Sequence, residues 1–363
     1  MNVLRRARPL EVAGPDELPL TIGVWPWPRI ALGLSVLLAA ALVALALGPA
    51  EIPLGDIVRI LVSHLPGIEV ARDVPASWRN IIWEVRLPRV LLAGLVGATL
   101  ALTGATYQGV FRNPLADPYL IGVATGAALG ATIVVVSDTN LAWHGLSLLP
   151  LAAFAGAMTS VFVVYAVARV GNTVPTTTLI LAGVALSSLS TAATSFLMLR
   201  DTTNSVIVFS VVLGSFNTAT WAKLAWVLPY ALPAALVILA HGRVLNVLSL
   251  DEEQARQLGI DVERTKLLLL GVASLAAAAA VSVSGTIGFV GLIVPHAIRL
   301  LWGPDNRQLL PMSILLGAAF LIGADLVART LDEPSEIPVG IITAFCGVPF
   351  FLFLLRRARV AQY

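Results

Sequence analysis

Few side chains in this sequence stand at spacings that catalysis uses. There is no G-x-x-x-x-G-K-S/T phosphate loop, no H-E-x-x-H zinc pair and no G-x-S-x-G nucleophile elbow. The chain therefore lacks the patterned sites for ATP binding, zinc hydrolysis and serine acyl transfer. His64, His144, His241 and His296 are scattered, and three of them fall near the ends of apolar runs. In V-P-H-A-I-R, Pro295 is expected to open a helix with His296 and Arg299 on one face. A hydrogen-bonded histidine beside a snorkelling arginine accounts for that pair, and a functional role is the alternative. The single Cys346 excludes an internal disulfide and argues against a metal cluster. Asp325 is the one carboxylate deep in an apolar run, with Arg329 a turn further on as its expected partner. A proton relay needs more carboxylates than that, and no nucleophile and base fall at a common depth, so an enzyme is not expected.

The densest charge lies in S-L-D-E-E-Q-A-R-Q-L-G-I-D-V-E-R-T-K, Ser249 to Lys266. Ser249 followed by Glu252 fits a capping box, and Gly259 supplies a left-handed stop. Asp251, Glu252 and Glu253 sit where the helix dipole is positive, and Arg256 lies nearer its negative end. The expected element is a short helix of about nine residues with Ala255 and Leu258 on one face. Such a helix is suited to docking on a soluble partner; a solvated loop helix is the other reading.

The elements around it are apolar. Hydrophobic residues make up 58% of the 363, charged ones 12%, and the mean hydropathy is +0.89. That much apolar surface needs a bilayer, so the chain is read as an all-α polytopic membrane protein. Residues 1–28 form a tail ending in the W-P-W-P anchor. Ten apolar runs follow, at about 30–47, 90–110, 119–136, 148–168, 178–199, 221–239, 267–283, 288–301, 309–327 and 339–355. The first is longer than a signal-peptide core and reads as a retained span. The run at 288–301 is short enough to be re-entrant or tilted. Residues 205–216 are too short to cross and suggest a helical cap at one mouth. The spans occupy 29–357, with an external loop at about 49–85 and a tail at 358–363. Small-residue stripes, Gly122, Gly126 and Gly130, and Gly97, Ala101 and Ala105, imply close helix packing.

With an even number of spans both termini share a side. Placing them inside puts the majority of the 23 basic residues there, together with the Ser249 helix. Arg86 and Arg89, around Leu87-Pro88, and Arg329 then stand outside, where positive charge is disfavoured. Docking of an acidic soluble partner and interfacial snorkelling are the two accounts of them.

Several strings taken together carry a resemblance: R-L-P-R (Arg86 to Arg89), Q-G-V-F-R-N-P-L-A-D-P (Gln108 to Pro118), L-A-G-V-A-L (Leu181 to Leu186), E-Q-A-R-Q-L-G and G-F-V-G-L-I-V-P-H-A-I-R (Gly288 to Arg299). They resemble the FecCD-type permeases, the membrane subunits of bacterial ABC importers for iron-siderophores, haem and cobalamin. The resemblance runs from about Arg86 to Arg357. It implies a homodimer of ten-span subunits with the type II importer fold in the bacterial inner membrane. Two cytoplasmic ATPase subunits, holding ATP and Mg, would lie below and a periplasmic binding protein above. The chain itself would bind no cofactor, metal or nucleic acid.

It further implies that Ser249, Asp251, Glu252, Glu253, Ala255, Arg256, Leu258 and Gly259 form the ATPase-coupling segment, and that Arg86, Arg89 and Arg329 receive acidic residues of the binding protein. The fifth span and its cap would line the pathway with Leu186, Ser187, Ser190, Thr191, Thr194, Ser195, Leu213 and Phe216. Those hydroxyls equally suit helix packing. The F-R-N-P-L-A-D-P wording is most similar to haem permeases, with ferric siderophore and cobalamin as alternatives. F-S-V-V-L-G-S-F at Phe209 to Phe216 departs from the family pattern. The rival from another class is an ion-coupled secondary transporter with Asp325 as its switch.

Overall fold

The structure is a computed structural model and describes residues 27–48, 50, 52–64, 74–137, 142–143, 146–171, 173–200, 205–250, 252–333 and 335–360. The N-terminal tail with Arg5, Arg6 and Arg8, together with Arg72, His144 and Asp251, lies outside the described residues.

Helix α1 (Trp27–Ala46) is followed by α2 (Leu54–Ser63) and α3 (Ala76–Asn80). A π-helical turn, Ile81–Arg86, joins α3 to α4 (Leu87–Phe111). Pro88 has no N–H, so the Glu84 carbonyl has no α-helical partner. The wide turn, closed by the Leu87 N–H on the Ile82 carbonyl, carries the helix past it. The second span therefore begins at Ala76 with α3, inside the loop expected at 49–85, and α2 occupies ten residues of the remainder. After α5 (Val123–Val136) a small hairpin pairs β1 (Ala142–Trp143) with β2 (Leu146–Ser147). Helices α6 (Leu148–Ala168), α7 (Thr176–Arg200), the short α8 (Ser205–Leu213) and α9 (Trp221–Ala240) follow. Next come α10 (Gly242–Leu250), α11 (Glu252–Gln257), α12 (Val262–Ser284) and α13 (Val290–Trp302). Helices α14 (Asn306–Thr330) and α15 (Val339–Val360) complete the chain, α15 running into the expected C-terminal tail.

Among the described residues, seven helical segments are long and apolar enough to cross a membrane: α1, α3 with α4, α6, α7, α9, α12 and α14. Three shorter apolar helices, α5, α13 and α15, bring the count to the expected ten. One of these, α5, is short for a local reason. Residues Pro118–Ile121 wind into a 3-10 turn capped by Asp117, and Gly122 at φ +83° turns the chain before α5 starts, so the third span is not helical from Tyr119. The Tyr119 hydroxyl donates to the Ile287 carbonyl (2.9 Å) and accepts from the Ile287 N–H (3.1 Å), which ties that turn to the open segment between α12 and α13. Irregular backbone inside a membrane protein is tolerated where other protein groups satisfy it in this way.

Helix α4 forms the centre of the bundle and is buried over most of its length. Its glycines are contact points: a methyl on Gly97 would collide with the Gly317 backbone of α14, and one on Gly104 with Gly291 of α13. Gly126 and Gly130 of α5 meet Gly156 and Ala152 of α6 in the same manner. These are the close approaches that small residues permit, and with no hydrophobic force between helices in lipid they set the packing.

Candidate functional site

Three arginines gather at one end of α4 and α14, and all are buried. Arg86 is 4% exposed, Arg89 9% and Arg329 6%. Arg89 forks onto Asp325 (2.8, 2.9 and 3.2 Å) and reaches Glu336 at 2.8 Å. Asp325 is thus paired mainly with Arg89 of α4; Arg329, the partner expected from spacing, stands at 4.0 Å. Arg86 donates to the carbonyls of Leu45 (2.7 Å), Ala46 (3.2 Å) and Ala50, and Arg329 donates to that of Ala44. The last carbonyls of a helix have no partners of their own and carry the negative end of its dipole. Two guanidinium groups from other elements here cap α1. The Arg329 Nε has no hydrogen-bond partner, although it is buried. The sequence brings the three expected residues together, but the fold engages them internally and snorkelling does not describe them.

At the other end of α14 the densest charge run takes a different shape from the one expected. Helix α10 continues through Ser249, whose hydroxyl bonds the Asn246 carbonyl (2.6 Å) instead of capping a new helix. The charged helix is the six-residue α11, shorter than anticipated because Ser249 and Leu250 belong to the preceding one. The side chain of Glu252 lies outside the described residues. Gly259 does stop α11: its φ is +81°, its N–H bonds the Arg256 carbonyl (2.9 Å), and the Ile260 N–H bonds that of Ala255 (3.1 Å), a Schellman arrangement. Ala255 and Leu258 do not share a face. Ala255 is fully buried against Leu248 and Val262, in a small core separate from the main one, whereas Leu258 is 68% exposed. Glu253 and Arg256 are exposed and 3.9 Å apart.

Helix α10 is fastened to the turn between α13 and α14. The Asn246 amide donates to Asp305 (2.7 Å), and its oxygen accepts from the backbone N–H and the side chain of Asn306 (2.8 and 2.9 Å). Asp305 caps α14 through the Arg307 N–H. Hydrogen bonds from the Arg307 side chain, and then from Asn246, hold its carboxyl down to about 2 against the opposing effect of partial burial. The stabilisation linked to that carboxylate is present above the ordinary carboxylate range and is lost only as pH falls toward 2, so the group stays charged at physiological pH.

Pro295 lies inside α13 and does not open it. It leaves the Gly291 carbonyl without its α-helical donor, and the Gln108 amide supplies one (2.8 Å) while Arg299 donates to the Gln108 oxygen. His296 faces the Phe350 ring. On α7, Ser190 and Thr194 are buried, Thr191 and Ser195 exposed, and Leu186 and Ser187 intermediate. Thr194 donates to the Ser190 carbonyl within its own helix (2.8 Å), whereas Ser187 accepts from Thr125 of α5 (3.2 Å), a bond between two helices. Phe216 is 1% exposed and Leu213 ends the short α8. Asn246, Asp305, Gln108 and Glu336 were not anticipated. Only Asp305, ahead of Asn306 at the head of an apolar run, carried a local signal, that of a helix cap.

No group of three or more His, Cys, Asp or Glu that could hold a metal ion occurs among the described residues. A ten-span helical bundle with a buried cationic network at one end and a small charged helical unit at the other defines a polytopic transport protein. Residues 36–357 match the FecCD transport family, and the chain belongs to that family of ABC importer permeases. It is 49% identical over 288 residues to the cobalamin import system permease protein of Halobacterium salinarum, covering 79% of this chain and 76% of that one. It is 42% identical over 287 residues to the hemin transport system permease protein of Yersinia pestis, covering 78% and 85%. Its fold is similar to a solved structure described as an inward-facing metal-chelate type ABC transporter: TM-score 0.77, 32% identity, 91% of this chain and 99% of the other.

Proposed function

We propose that this chain is the membrane subunit of an ATP-driven importer of a metal tetrapyrrole, haem or cobalamin, in a bacterial inner membrane. The observation that carries the reading is the family match over nine-tenths of the chain, joined to an exposed helical unit at the end of α14 remote from the arginines. In this reading both termini and α11 are cytoplasmic, as the distribution of basic residues favours. The chain acts as a homodimer, has no ATPase site of its own, and binds no cofactor. ATP and Mg belong to two partner subunits that press on α11. Arg86, Arg89 and Arg329 receive acidic side chains of a periplasmic binding protein, whose carboxylates replace the α1 carbonyls that now occupy Arg86 and Arg329. The residues of α7 and α8 line the pathway. Relatives named for cobalamin and hemin support a tetrapyrrole, and a relative named for an iron chelatin, 42% identical, keeps ferric siderophore as the alternative cargo.

The test is uptake into proteoliposomes holding the chain with its ATPase and binding protein, offered cobalamin, haem or a ferric siderophore in turn. ATP-dependent uptake of one tetrapyrrole, lost when any component is omitted, is expected. Selective siderophore uptake would correct the cargo. Gradient-driven uptake by the chain alone, abolished in Asp325→Asn, would instead establish the ion-coupled transporter. Leu258→Asp puts a charge on the exposed tip of the coupling unit. It is expected to lower transport about tenfold or more, within the usual range of coupling energies, while the protein still inserts.

A further inference from the structure

Helices α10 and α11 and the start of α12 form a body of their own, with Leu248, Ala255 and Val262 as its private core. Chain continuity joins that body to α9 on one side and α12 on the other. A third link is not along the chain. Asn246 reaches across to Asp305 and Asn306, about sixty residues on, and its oxygen accepts the first backbone N–H of α14. That N–H is one of the orphan donors every helix start leaves, so Asn246 serves α14 as a cap supplied from another element. Both lone pairs of the amide oxygen and one of its two N–H groups are used, which fixes the amide's orientation. Asn306 is 4% exposed, and Asn246 and Asp305 are half-buried beside it. Beside it, Leu245, fully buried, lies against Gly109 of α4.

Gly303, at φ +92°, ends α13, and only Pro304 separates it from Asp305. A grip on Asp305 and Asn306 is therefore a grip on the turn that joins α13 to α14. Helix α14 is one continuous helix of 25 residues, with Pro311 in its second turn, and its far end carries Asp325 and Arg329. A helix of that length spans on the order of 35–40 Å, so Asn306 and the arginine cluster lie at opposite ends of one element.

We propose that Asn246 is the positioning residue through which the coupling unit moves the α13–α14 turn, in addition to its covalent links through α9 and α12. The proposal rests on α10 and α11 being the segment on which the ATPase acts. It assigns Asn246 no contact with cargo or nucleotide. Its role is to transmit displacement by a hydrogen-bonded clamp whose slippage breaks three half-buried hydrogen bonds at once, among them the one to the first N–H of α14.

The experiment uses the complete complex in proteoliposomes, offered cobalamin and haem, and reads two quantities: ATP hydrolysed and cargo moved per ATP. Asn246→Ala is expected to keep hydrolysis and ATPase co-purification while cargo moved per ATP falls about tenfold. Asn246→Asp sets two carboxylates face to face and is expected to fall at least as far. The double variant Asn246→Asp/Asp305→Asn restores one amide and one carboxylate with their places exchanged, and an Asn still serves as the α14 cap. It is expected to recover to within about twofold of Asp305→Asn alone, a rescue that simple misfolding at position 246 would not give. Failure of the double variant to recover would overturn the proposal. So would single variants that keep native cargo per ATP while Leu258→Asp uncouples, an outcome that leaves the coupling segment itself in place. If Leu258→Asp also leaves coupling intact, the reading beneath the proposal falls with it.

Discussion

The two ends of α14 use charge in opposite ways. At the Asp325 end, Arg86, Arg89, Arg329 and Asp325 are each less than a tenth exposed, and their partners come from α1, α4, α14 and the segment before α15. At the Asp305 end the ions are at the surface: the Arg307 side chain is 42% exposed, and Glu253 and Arg256 are more so. Buried charge is costly unless matched, so the first cluster is part of what holds the helices in register. Exposed charge is screened and contributes little to folding, so the second is free to be shaped by a partner. The difference separates a buried, matched network from an exposed unit whose charges face solvent.

The largest effect expected from this contrast is at Asp325. Asp325→Ala would leave Arg89 and Arg329 without their shared carboxylate in the interior, a loss of about 3–5 kcal/mol. Thermal unfolding of the detergent-solubilised protein should show a clear fall in midpoint. An unchanged midpoint would mean that the network is not an anchor and would erase the contrast between the two ends.

Arg86→Ala comes next. It removes the donors from the carbonyls of Leu45, Ala46 and Ala50 while leaving the Arg89–Asp325 pair intact, a cost of about 1–3 kcal/mol. Exchange should rise at the C-terminal end of α1 and stay level in the buried part of α4, as amide hydrogen exchange would report. If binding-protein affinity falls together with this local loosening, the arginine serves both the fold and the partner. If only the loosening is seen, it serves the fold.

Periodicity and composition revealed most of this architecture, since the ten apolar stretches and the short α8 each carry a local pattern. What they left open is instructive. Nothing local says that Arg86 is buried, because an arginine beside a proline at a span end is normally free to snorkel; the covering carbonyls come from about forty residues away. Ser249 and Glu252 have capping-box spacing, yet α10 runs on through Ser249 because Leu248 is held in the small core with Ala255 and Val262. Pro295 reads as a helix start until Gln108, on another span, takes up the carbonyl it orphans. In each case a partner remote in sequence overrides a sound local rule. The Asn246 clamp has the same origin: an asparagine in a helix says nothing until Asp305 and Asn306 arrive beside it.

The smallest effect on stability, and the most specific on function, is expected at Arg256. Its ion pair with Glu253 is three residues apart on α11, 3.9 Å long and solvated at both ends. Pairs of that kind stabilise a helix by a few tenths of a kcal/mol at most, about 0.2–0.5 kcal/mol. Arg256→Ala should therefore leave the unfolding midpoint of the isolated protein unchanged within error. The buried Ala255 one residue earlier is untouched by the change, so the small core that it shares with Leu248 and Val262 keeps its shape. Any loss of ATPase association in a co-purification assay must then arise at the contact itself. A shifted midpoint without loss of association would show that α11 is braced by its surface charges and is not the independent unit that its separate core implies.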